Sequence, residues 1–288
     1  MKIIDILNQK KVTLSFEVFP PKTEEAFLTV EQATEQIAAL EPDFMSVTYG
    51  AGGGTSRNTV RIAADLEQKY RTNVLAHLTC VSSTRETVRS MIESYKEHGI
   101  ENIMALRGDI PQEGRTVFDY DHASQLIYDI KSLHEDFCIG GACYPEGHVE
   151  CESQAEDILH LKEKVEAGCD FLTTQMFFDN STMYSFLYRI REAGIEVPVV
   201  AGIMPITSPA QVKRSVALSG ATIPHRFRTM VDRFGSDPES MKQAGVVYAA
   251  EQIVDLIANG VGHIHVYTMN KPEIAAAIQI SLSALWGL

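Results

Sequence analysis

A carboxyl group set among apolar residues is the first candidate for acid–base chemistry in this 288-residue chain. Glu17 lies in the segment 15–21, where two phenylalanines and two prolines surround it. We expect its carboxyl group to be partly desolvated, because apolar neighbours exclude water. Desolvation raises the pKa of a carboxyl group and suits it to general-acid work near neutral pH. A salt-bridged structural glutamate at the end of a strand would have the same spacing.

Arg107, Asp109 and Gln175 could recognise a flat heterocycle. Arg107 and Asp109 follow the apolar run 102–106 and offer a fork of donors beside an acceptor. Such a pair can bracket a planar ring, although the two side chains could also pair with each other. Gln175 combines a donor with an acceptor and precedes the apolar segment 176–178. That arrangement suits an aromatic ligand, and a core cluster of aromatic side chains is the alternative.

Two histidines and a glycine-rich loop carry a weaker signal. His77 lies in an apolar run, and His148 closes the segment 144–148. Neither has the i, i+4 spacing of a helical metal site, so we predict no metal. A lone histidine more commonly has a structural role than a catalytic one. The loop 48–56, which begins at Thr48, has neither the dinucleotide nor the phosphate-loop spacing. Its backbone could approach an anion or a ring closely, or it could simply be flexible.

Glycines mark the elements that must position these groups. Gly99, Gly168, Gly194 and Gly260 each close a helix-like stretch and precede a short apolar run. A glycine after a helix is the usual left-handed cap, and the runs are typical of buried parallel strands. This alternation predicts an α/β fold, a single-domain (βα)8 TIM barrel over residues 1–288. The predicted strands are Val12–Val18, Phe44–Thr48, Val74–Thr79, Asn102–Leu106, Phe137–Cys143, Phe171–Gln175, Val197–Gly202 and His263–Tyr267.

Residue parity indicates which strand faces line the barrel. Ser15 and Glu17 share a face of the first strand, and His265 and Tyr267 share a face of the last. The opposite faces are apolar and should meet the helices. So polar an interior is unusual and suggests a large polar ligand at the C-terminal mouth of the barrel, with a hydrogen-bonded polar core as the alternative. Prolines and a glycine punctuate residues 221–252, which predicts an extra helical segment between strands seven and eight.

The composition disfavours several classes of partner. The chain has 25 Lys and Arg against 38 Asp and Glu, which gives a net charge of −13. Such acidity argues against binding to nucleic acid or to anionic membranes. The chain also lacks the apolar run of about 20 residues that would predict a membrane span. Five cysteines without a Cys-x-x-Cys motif predict reduced thiols in a cytoplasmic enzyme.

Seven short motifs, taken together and in this order, resemble the methylenetetrahydrofolate reductase family in its short bacterial form, a catalytic barrel. The motifs lie at residues 16–21, 47–51, 77–80, 106–109, 144–148, 174–179 and 265–270. The resemblance implies a barrel that holds FAD noncovalently. It implies that NADH or NADPH supplies a hydride through the flavin to 5,10-methylenetetrahydrofolate, giving 5-methyltetrahydrofolate in a ping-pong cycle. It also implies a homo-oligomer.

The same resemblance implies roles for individual residues. Glu17 corresponds to the general acid that opens the folate ring, and Asp109 to an acid near the flavin and pterin rings. Gln175, Tyr267 and Lys271 correspond to substrate-binding positions, with Lys271 standing where some members have arginine. The positions that match cofactor contacts are Thr48, His77, Arg107, Gly108, Asp109, Tyr144, His148, Asp157 and Lys164. By spacing alone, Asp157 and Lys164 would be surface charges.

One departure from the family pattern keeps a second electron donor open. Some bacterial members carry an aromatic residue in the helix after strand seven, where this chain has the segment 212–215 without one. The alternative is the same folate reduction with electrons from a partner protein. A flavin-free lyase or aldolase would need a lysine at a strand end, which the predicted strands lack. A barrel without catalytic activity should have lost Glu17, Asp109 and Gln175.

Overall fold

Eight parallel strands close into one barrel. The computed structural model describes residues 1–21, 23–49, 53–110, 114, 116–117 and 119–287, without the side chains of residues 24, 53–56 and 218. Each strand pairs with its neighbours in chain order, and the last pairs with the first. The strands are β1 (Thr13–Val18), β2 (Phe44–Val47), β3 (Val74–Thr79), β4 (Asn102–Leu106), β5 (Cys138–Cys143), β6 (Phe171–Thr174), β7 (Val199–Ile203) and β8 (His263–Tyr267). The predicted barrel and its eight strands are confirmed, with strand ends that differ from the predicted ones by at most two residues.

Helices surround the barrel, and one precedes it. They are α1 (Ile3–Gln9), α2 (Phe27–Ala38), α3 (Gly53–Gln68), α4 (Arg85–Glu97), α5 (Ala123–Leu133), α6 (Gln154–Glu166), α7 (Asn180–Glu192), α8 (Pro209–Ser219), α9 (His225–Phe234), α10 (Pro238–Ala258) and α11 (Pro272–Ser281). Three helices, α8 to α10, separate β7 from β8, so the extra helical segment predicted at residues 221–252 is confirmed. This insertion lies beside the C-terminal ends of the last strands.

The four glycines that suggested the fold have the predicted conformation. Gly99, Gly168, Gly194 and Gly260 have φ angles of +76°, +111°, +79° and +84°. A side chain is strained in this left-handed region, and glycine is not. Each of these glycines therefore ends a helix and turns the chain towards the next strand.

The core has two layers with different residue types. The outward faces of the strands pack against the helices through residues such as Phe16, Met45 and Val47, all fully buried. Inside the lower end of the barrel, Phe44 and Phe171 belong to an apolar cluster that Ile3 and Leu7 of α1 complete. The polar interior that parity predicts is therefore interrupted by an apolar cluster at the lower end of the barrel.

Helix α1 closes the lower end of the barrel and was not predicted. The Ile3 backbone N–H donates to Asn102 Oδ1 at 2.7 Å, and Asn102 Nδ2 donates to the Val74 carbonyl at 3.0 Å. Asn102 is 1% exposed, so these bonds are protected from water. The closed lower end leaves the C-terminal mouth as the face at which the polar layers can meet a ligand.

Candidate active site

A cavity of about 740 Å³ opens at the C-terminal ends of the strands. Pockets for small ligands are typically about 300–1,000 Å³. Its lining includes most of the site residues expected from the sequence, namely Glu17, Thr48, His77, Arg107, Gly108, Asp109, Tyr144, His148, Asp157, Lys164, Gln175 and Tyr267. Lys271 is not in this lining; its Nζ donates to Thr207 Oγ1 at 3.1 Å. Its expected contact with substrate therefore stays a prediction.

The cavity has two parts. The part called the central pocket is lined by Glu17, Thr48, His77 and Tyr267, which lie in or directly after β1, β2, β3 and β8. The part called the outer arm is lined by residues that follow β4 and β5 and by residues of α6, and it contains most of the ionisable side chains: Arg107, Asp109, His148, Glu150, Asp157 and Lys164. A ligand that fills both parts must therefore present a neutral or weakly polar end at the centre and a strongly polar end at the wall.

Glu17 is a half-buried carboxyl group without a charged partner in the described part of the chain. Its side chain is 19% exposed, and burial raises its pKa to about 7 although contact with Ser46 opposes the shift. His77 Nε2 lies 3.9 Å from Glu17 Oε2, but burial lowers the pKa of His77 to about 4. His77 is therefore neutral near pH 7 and gives Glu17 no ion pair. The alternative of a salt-bridged structural glutamate is wrong for these residues.

Strand register brings Glu17 between two polar neighbours. Glu17 pairs with Ser46 of β2 on one side and with Tyr267 of β8 on the other. Tyr267 Oη donates to the Thr174 carbonyl across the barrel at 2.6 Å. A Cβ atom at Gly202 would lie 2.6 Å from that hydroxyl and 2.3 Å from the carbonyl, so glycine is required for the crossing. Burial raises the pKa of Tyr267 well above its ordinary value, so the ring presents a neutral hydroxyl.

Arg107 pairs with a glutamate that the sequence analysis did not identify. Its guanidinium donates to both oxygens of Glu150, at 2.6 and 2.9 Å, so the alternative of an Arg107–Asp109 pair is wrong. Asp109 lies exposed at the rim of the cavity. Gly108, between them, has φ +87°, and a Cβ there would lie 2.9 Å from Val81 Cγ1. No short motif links Glu150 to Arg107, because the two lie 43 residues apart.

Asp157 and Lys164 are partly or fully buried in the wall of the outer arm, so the surface-charge alternative is wrong. Asp157 is 9% exposed, and Lys164 Nζ donates to the Ala142 carbonyl at 2.8 Å. Burial raises the pKa of Asp157 and lowers the pKa of Lys164, while each charge offsets part of the other's shift. Beside them, the rings of Tyr144 and His148 pack edge to face at 4.6 Å. The arm thus combines an ionisable pair with aromatic surface.

Two hydroxyls in the wall have no hydrogen-bond partner among the described residues. Thr79 Oγ1 and Thr173 Oγ1 are both buried, and both residues line the cavity. A buried hydroxyl without a partner in the protein is usually satisfied by water or by a ligand. Strand parity assigns both side chains to the barrel interior.

The outer arm also contains the stacked rings of His122 and His160, whose centroids lie 4.9 Å apart. The sequence analysis did not identify this pair, because no short motif links the two residues.

Gln175 faces the cavity, while the residues after it are core. Gln175 Oε1 accepts from the Met176 N–H at 2.9 Å, and Phe177 and Phe178 are 0% and 2% exposed. The aromatic core cluster is therefore confirmed for Phe177 and Phe178, while recognition of an aromatic ligand by Gln175 stays a prediction. Ser215, in the segment that lacks the family's aromatic residue, is buried at 3% exposure and outside the cavity lining.

The glycine-rich loop is described only in part. Thr48 and Tyr49 line the central pocket, but residues 50–52 and the side chains of 53–56 lie outside the described part of the chain.

None of the five cysteines is in a disulfide. Within the described residues, no group of three or more His, Cys, Asp or Glu side chains could hold a metal ion, and no helix is long and apolar enough to cross a membrane.

Comparison with known proteins agrees with the motifs. The family model for methylenetetrahydrofolate reductase matches residues 2–283. The chain is 36% identical over 270 residues to a 5,10-methylenetetrahydrofolate reductase of Pectobacterium carotovorum, covering 94% of this chain and 90% of the relative. It is 31% identical to an Arabidopsis thaliana protein named methylenetetrahydrofolate reductase (NADH) 1, covering 99% of this chain and 51% of that one.

A solved structure shares the fold. An uncharacterised Clostridium thermocellum protein, described as binding two copies of 5-methyl-5,6,7,8-tetrahydrofolic acid, superposes with a TM-score of 0.69 at 16% identity, covering all of both chains. The family match extends over nearly the whole barrel and includes the strands that carry the cavity residues. The chain therefore belongs to the methylenetetrahydrofolate reductase family, enzymes that reduce methylenetetrahydrofolate.

Proposed function

We propose that this enzyme reduces 5,10-methylenetetrahydrofolate to 5-methyltetrahydrofolate with NADH or NADPH, through noncovalently bound FAD, in a ping-pong cycle. The observation that carries the proposal is Glu17, a carboxyl group with a pKa raised to about 7 that faces a cavity of about 740 Å³. General acids work best when their pKa lies near the operating pH. The names of the Arabidopsis relative and of the Clostridium structure, which mention NADH and a methylated folate, support this choice of donor and product.

The residues of the cavity fit FAD. The outer arm offers the cations of Arg107 and Lys164 and the carboxyl of Asp157, which suit the diphosphate and ribose of a dinucleotide. The buried hydroxyls of Thr79 and Thr173 have no partner among the described residues, as expected where a ligand supplies one. The flavin, when bound, supplies the hydride chemistry, and the protein supplies position and electrostatics.

Glu17 holds the proton that the substrate needs. With a pKa of about 7, about half of the Glu17 side chains are protonated at pH 7, in contrast to an ordinary glutamate. The acid would donate to a nitrogen of the folate imidazolidine ring and thereby open that ring to a reactive iminium. His77 and Tyr267, both neutral, leave the carboxyl group free of a competing charge.

Asp109 and Gln175 orient the substrate in this proposal. Both line the same cavity as Glu17, and Asp109 lies at its rim. The Asp109 carboxylate can accept hydrogen bonds from a pterin edge, and the Gln175 amide can contact the same ring system. Because one cavity contains all of these groups, the nicotinamide and the folate would enter in turn, which supports the ping-pong order.

The first test replaces Glu17 by its neutral isostere. Glu17→Gln should bind FAD and accept electrons from NADH at nearly the original rate, because neither step needs a proton from Glu17. Folate reduction should fall by about 10²–10⁴-fold, as expected for the loss of a general acid. Stopped-flow absorbance of each half-reaction measures the two rates separately. Glu166→Gln, an exposed carboxylate of α6, serves as control, and normal folate reduction by Glu17→Gln would remove Glu17 from the acid role.

A second test uses the pH dependence of stability. The pKa of Glu17 is raised from its ordinary value of 4.5 to about 7 in the folded protein. Between these pH values the carboxyl group ionises more readily in the unfolded chain, so the free energy of unfolding falls as the pH rises. Below pH 4.5 the group is protonated in both states and has no such effect. The Glu17→Gln side chain stays neutral and has no such pH dependence. The free energy of unfolding of the variant minus that of the original protein should therefore be about 2–3 kcal/mol larger at pH 8.5 than at pH 4.5. Urea unfolding at both pH values measures this difference. An equal difference at both would mean that Glu17 titrates as an ordinary glutamate.

A third test addresses the outer arm. Lys164→Met should weaken FAD binding about 10–100-fold, because a buried cation that hydrogen-bonds a ligand contributes about 1.5–3 kcal/mol. Lys162→Met removes an exposed lysine two residues away on the same helix and should leave the Kd unchanged. Titration of the apoprotein by flavin fluorescence gives both values, with thermal unfolding as a check of folding. Equal affinities in the two variants would place the cofactor elsewhere.

A further inference from the structure

A chain of hydrogen-bonding groups runs from Glu17 down the barrel interior to a backbone carbonyl. Ser46 Oγ lies 3.5 Å from Glu17 Oε2 and 3.2 Å from His265 Nε2. On the other side of the ring, His265 Nδ1 lies 2.8 Å from Ser15 Oγ. Ser15 Oγ in turn donates to the Ile264 carbonyl at 3.0 Å. The chain therefore has a carboxyl group at one end and a group that can only accept at the other.

Strand register produces this arrangement. Ser15 pairs with His265 across β1 and β8, and Glu17 pairs with Ser46 across β1 and β2. Because Ser15 is small, the imidazole of His265 can pass over β1 and reach Ser46 on the next strand but one. Ser15 and Ser46 are fully buried and His265 is 2% exposed, so water does not compete for these bonds.

The backbone carbonyl at the end of this chain indicates which group donates in each of its hydrogen bonds. A carbonyl oxygen has no hydrogen, so the single hydroxyl hydrogen of Ser15 is used by Ile264. With the Ser15 hydrogen assigned to this carbonyl, the Ser15 oxygen accepts from His265 Nδ1, which then carries the ring hydrogen. A neutral imidazole has only one N–H, so Nε2 is an acceptor and takes the hydrogen of Ser46.

The surroundings of His265 keep its ring neutral. The ring stacks on Phe44 at 6.0 Å and meets Tyr267 edge to face at 5.3 Å. Of the titratable groups near it, His77 and Tyr267 carry no negative charge near pH 7, and Glu17 is separated from the ring by Ser46. Burial and the proximity of His77 lower the pKa of His265 to about 3. The His265 ring therefore carries a single N–H hydrogen near pH 7.

We propose that Ser15 and His265 are positioning residues that keep the proton on Glu17 until the substrate takes it. The hydroxyl of Ser46 donates its hydrogen to His265 Nε2, so towards Glu17 the Ser46 oxygen can only accept. A protonated Glu17 carboxyl can donate to that oxygen, and a carboxylate cannot. When Glu17 has given up its proton, the hydroxyl of Ser46 can rotate and donate to the new carboxylate. The proposal deepens the role of Glu17 and rests on the proposed function for its catalytic meaning.

The other groups that face Glu17 do not account for this effect. His77 of β3 and Tyr267 of β8 approach it within the central pocket, and both are neutral near pH 7. They can neither attract nor repel a charge on the carboxyl strongly. Burial sets most of the raised pKa, and the direction of the Ser46 hydroxyl determines whether hydrogen bonding adds to that shift or opposes it.

The tautomer of His265 tests the direction of the chain without any mutation in it. Nitrogen NMR of the purified holoenzyme, labelled at the histidine ring nitrogens, distinguishes a protonated ring nitrogen from a bare one. The signal of His265 is assigned by its loss in His265→Gln. We expect hydrogen on Nδ1 and none on Nε2 at pH 7. Hydrogen on Nε2, or a charged ring, would overturn the proposal.

The second measurement titrates the Glu17 carboxyl group by carbon NMR of protein labelled at glutamate Cδ. Ser15→Ala removes the acceptor for Nδ1–H, so Nε2 can carry the hydrogen and Ser46 can turn to the carboxylate. The pKa of Glu17 should fall by about one unit. Thr13→Ala is the matched control, since Thr13 Oγ1 meets His263 Nδ1 at 3.1 Å in the layer below without contacting the chain. It should leave the pKa of Glu17 unchanged.

An unchanged pKa in Ser15→Ala, or an equal fall in both variants, would contradict the proposal. Neither measurement involves folate. If Glu17→Gln still reduced folate while His265 carried its hydrogen on Nδ1, the proposed function would fail and the hydrogen-bond chain would stand. If the tautomer were wrong while Glu17→Gln lost folate reduction, the chain would fail and the function would stand.

Discussion

The protonation of one half-buried carboxyl group is the constraint on which the upper half of this barrel depends. The groups next to Glu17 are polar but neutral, namely Ser46, His77 and Tyr267, and the neutral ring of His265 lies behind Ser46. A cation at any of these positions would favour the carboxylate and abolish the raised pKa. The arrangement is costly for stability near neutral pH, and the rest of the fold must compensate. The apolar lower layer, closed by α1, and the continuous packing between strands and helices provide that compensation.

Charge is distributed along the cavity accordingly. Apart from Glu17, the groups at the centre are neutral, while Arg107, Glu150, Asp157 and Lys164 line the outer arm. Arg107 is held by both oxygens of Glu150, so its guanidinium is oriented before any ligand arrives. A long ligand with a polar end and a flat, weakly charged end matches this gradient, as FAD does. In the proposed complex, this separation keeps the positive charges of the outer arm, which would face the FAD phosphates, away from Glu17.

Local rules predicted much of the fold and part of the site. Left-handed glycines such as Gly99 depend on backbone sterics alone, and strand parity depends on geometry alone, so both could be deduced from the sequence. Helix α1 was missed because it has seven residues and no side-chain cap. The Arg107–Glu150 pair and the burial of Lys164 were missed because each depends on which strands and loops the closed barrel brings together. Those facts are tertiary, and no spacing along the chain encodes them.

The absorption spectrum of the purified protein, followed by anaerobic addition of NADH and then of methylenetetrahydrofolate, tests the central claim most directly. The account predicts flavin bands at about 380 and about 450 nm that bleach with NADH or NADPH and return when the folate is added. Bands that neither nicotinamide bleaches would point to a protein electron donor instead. A colourless protein that takes up no added FAD would contradict the account and leave only the barrel.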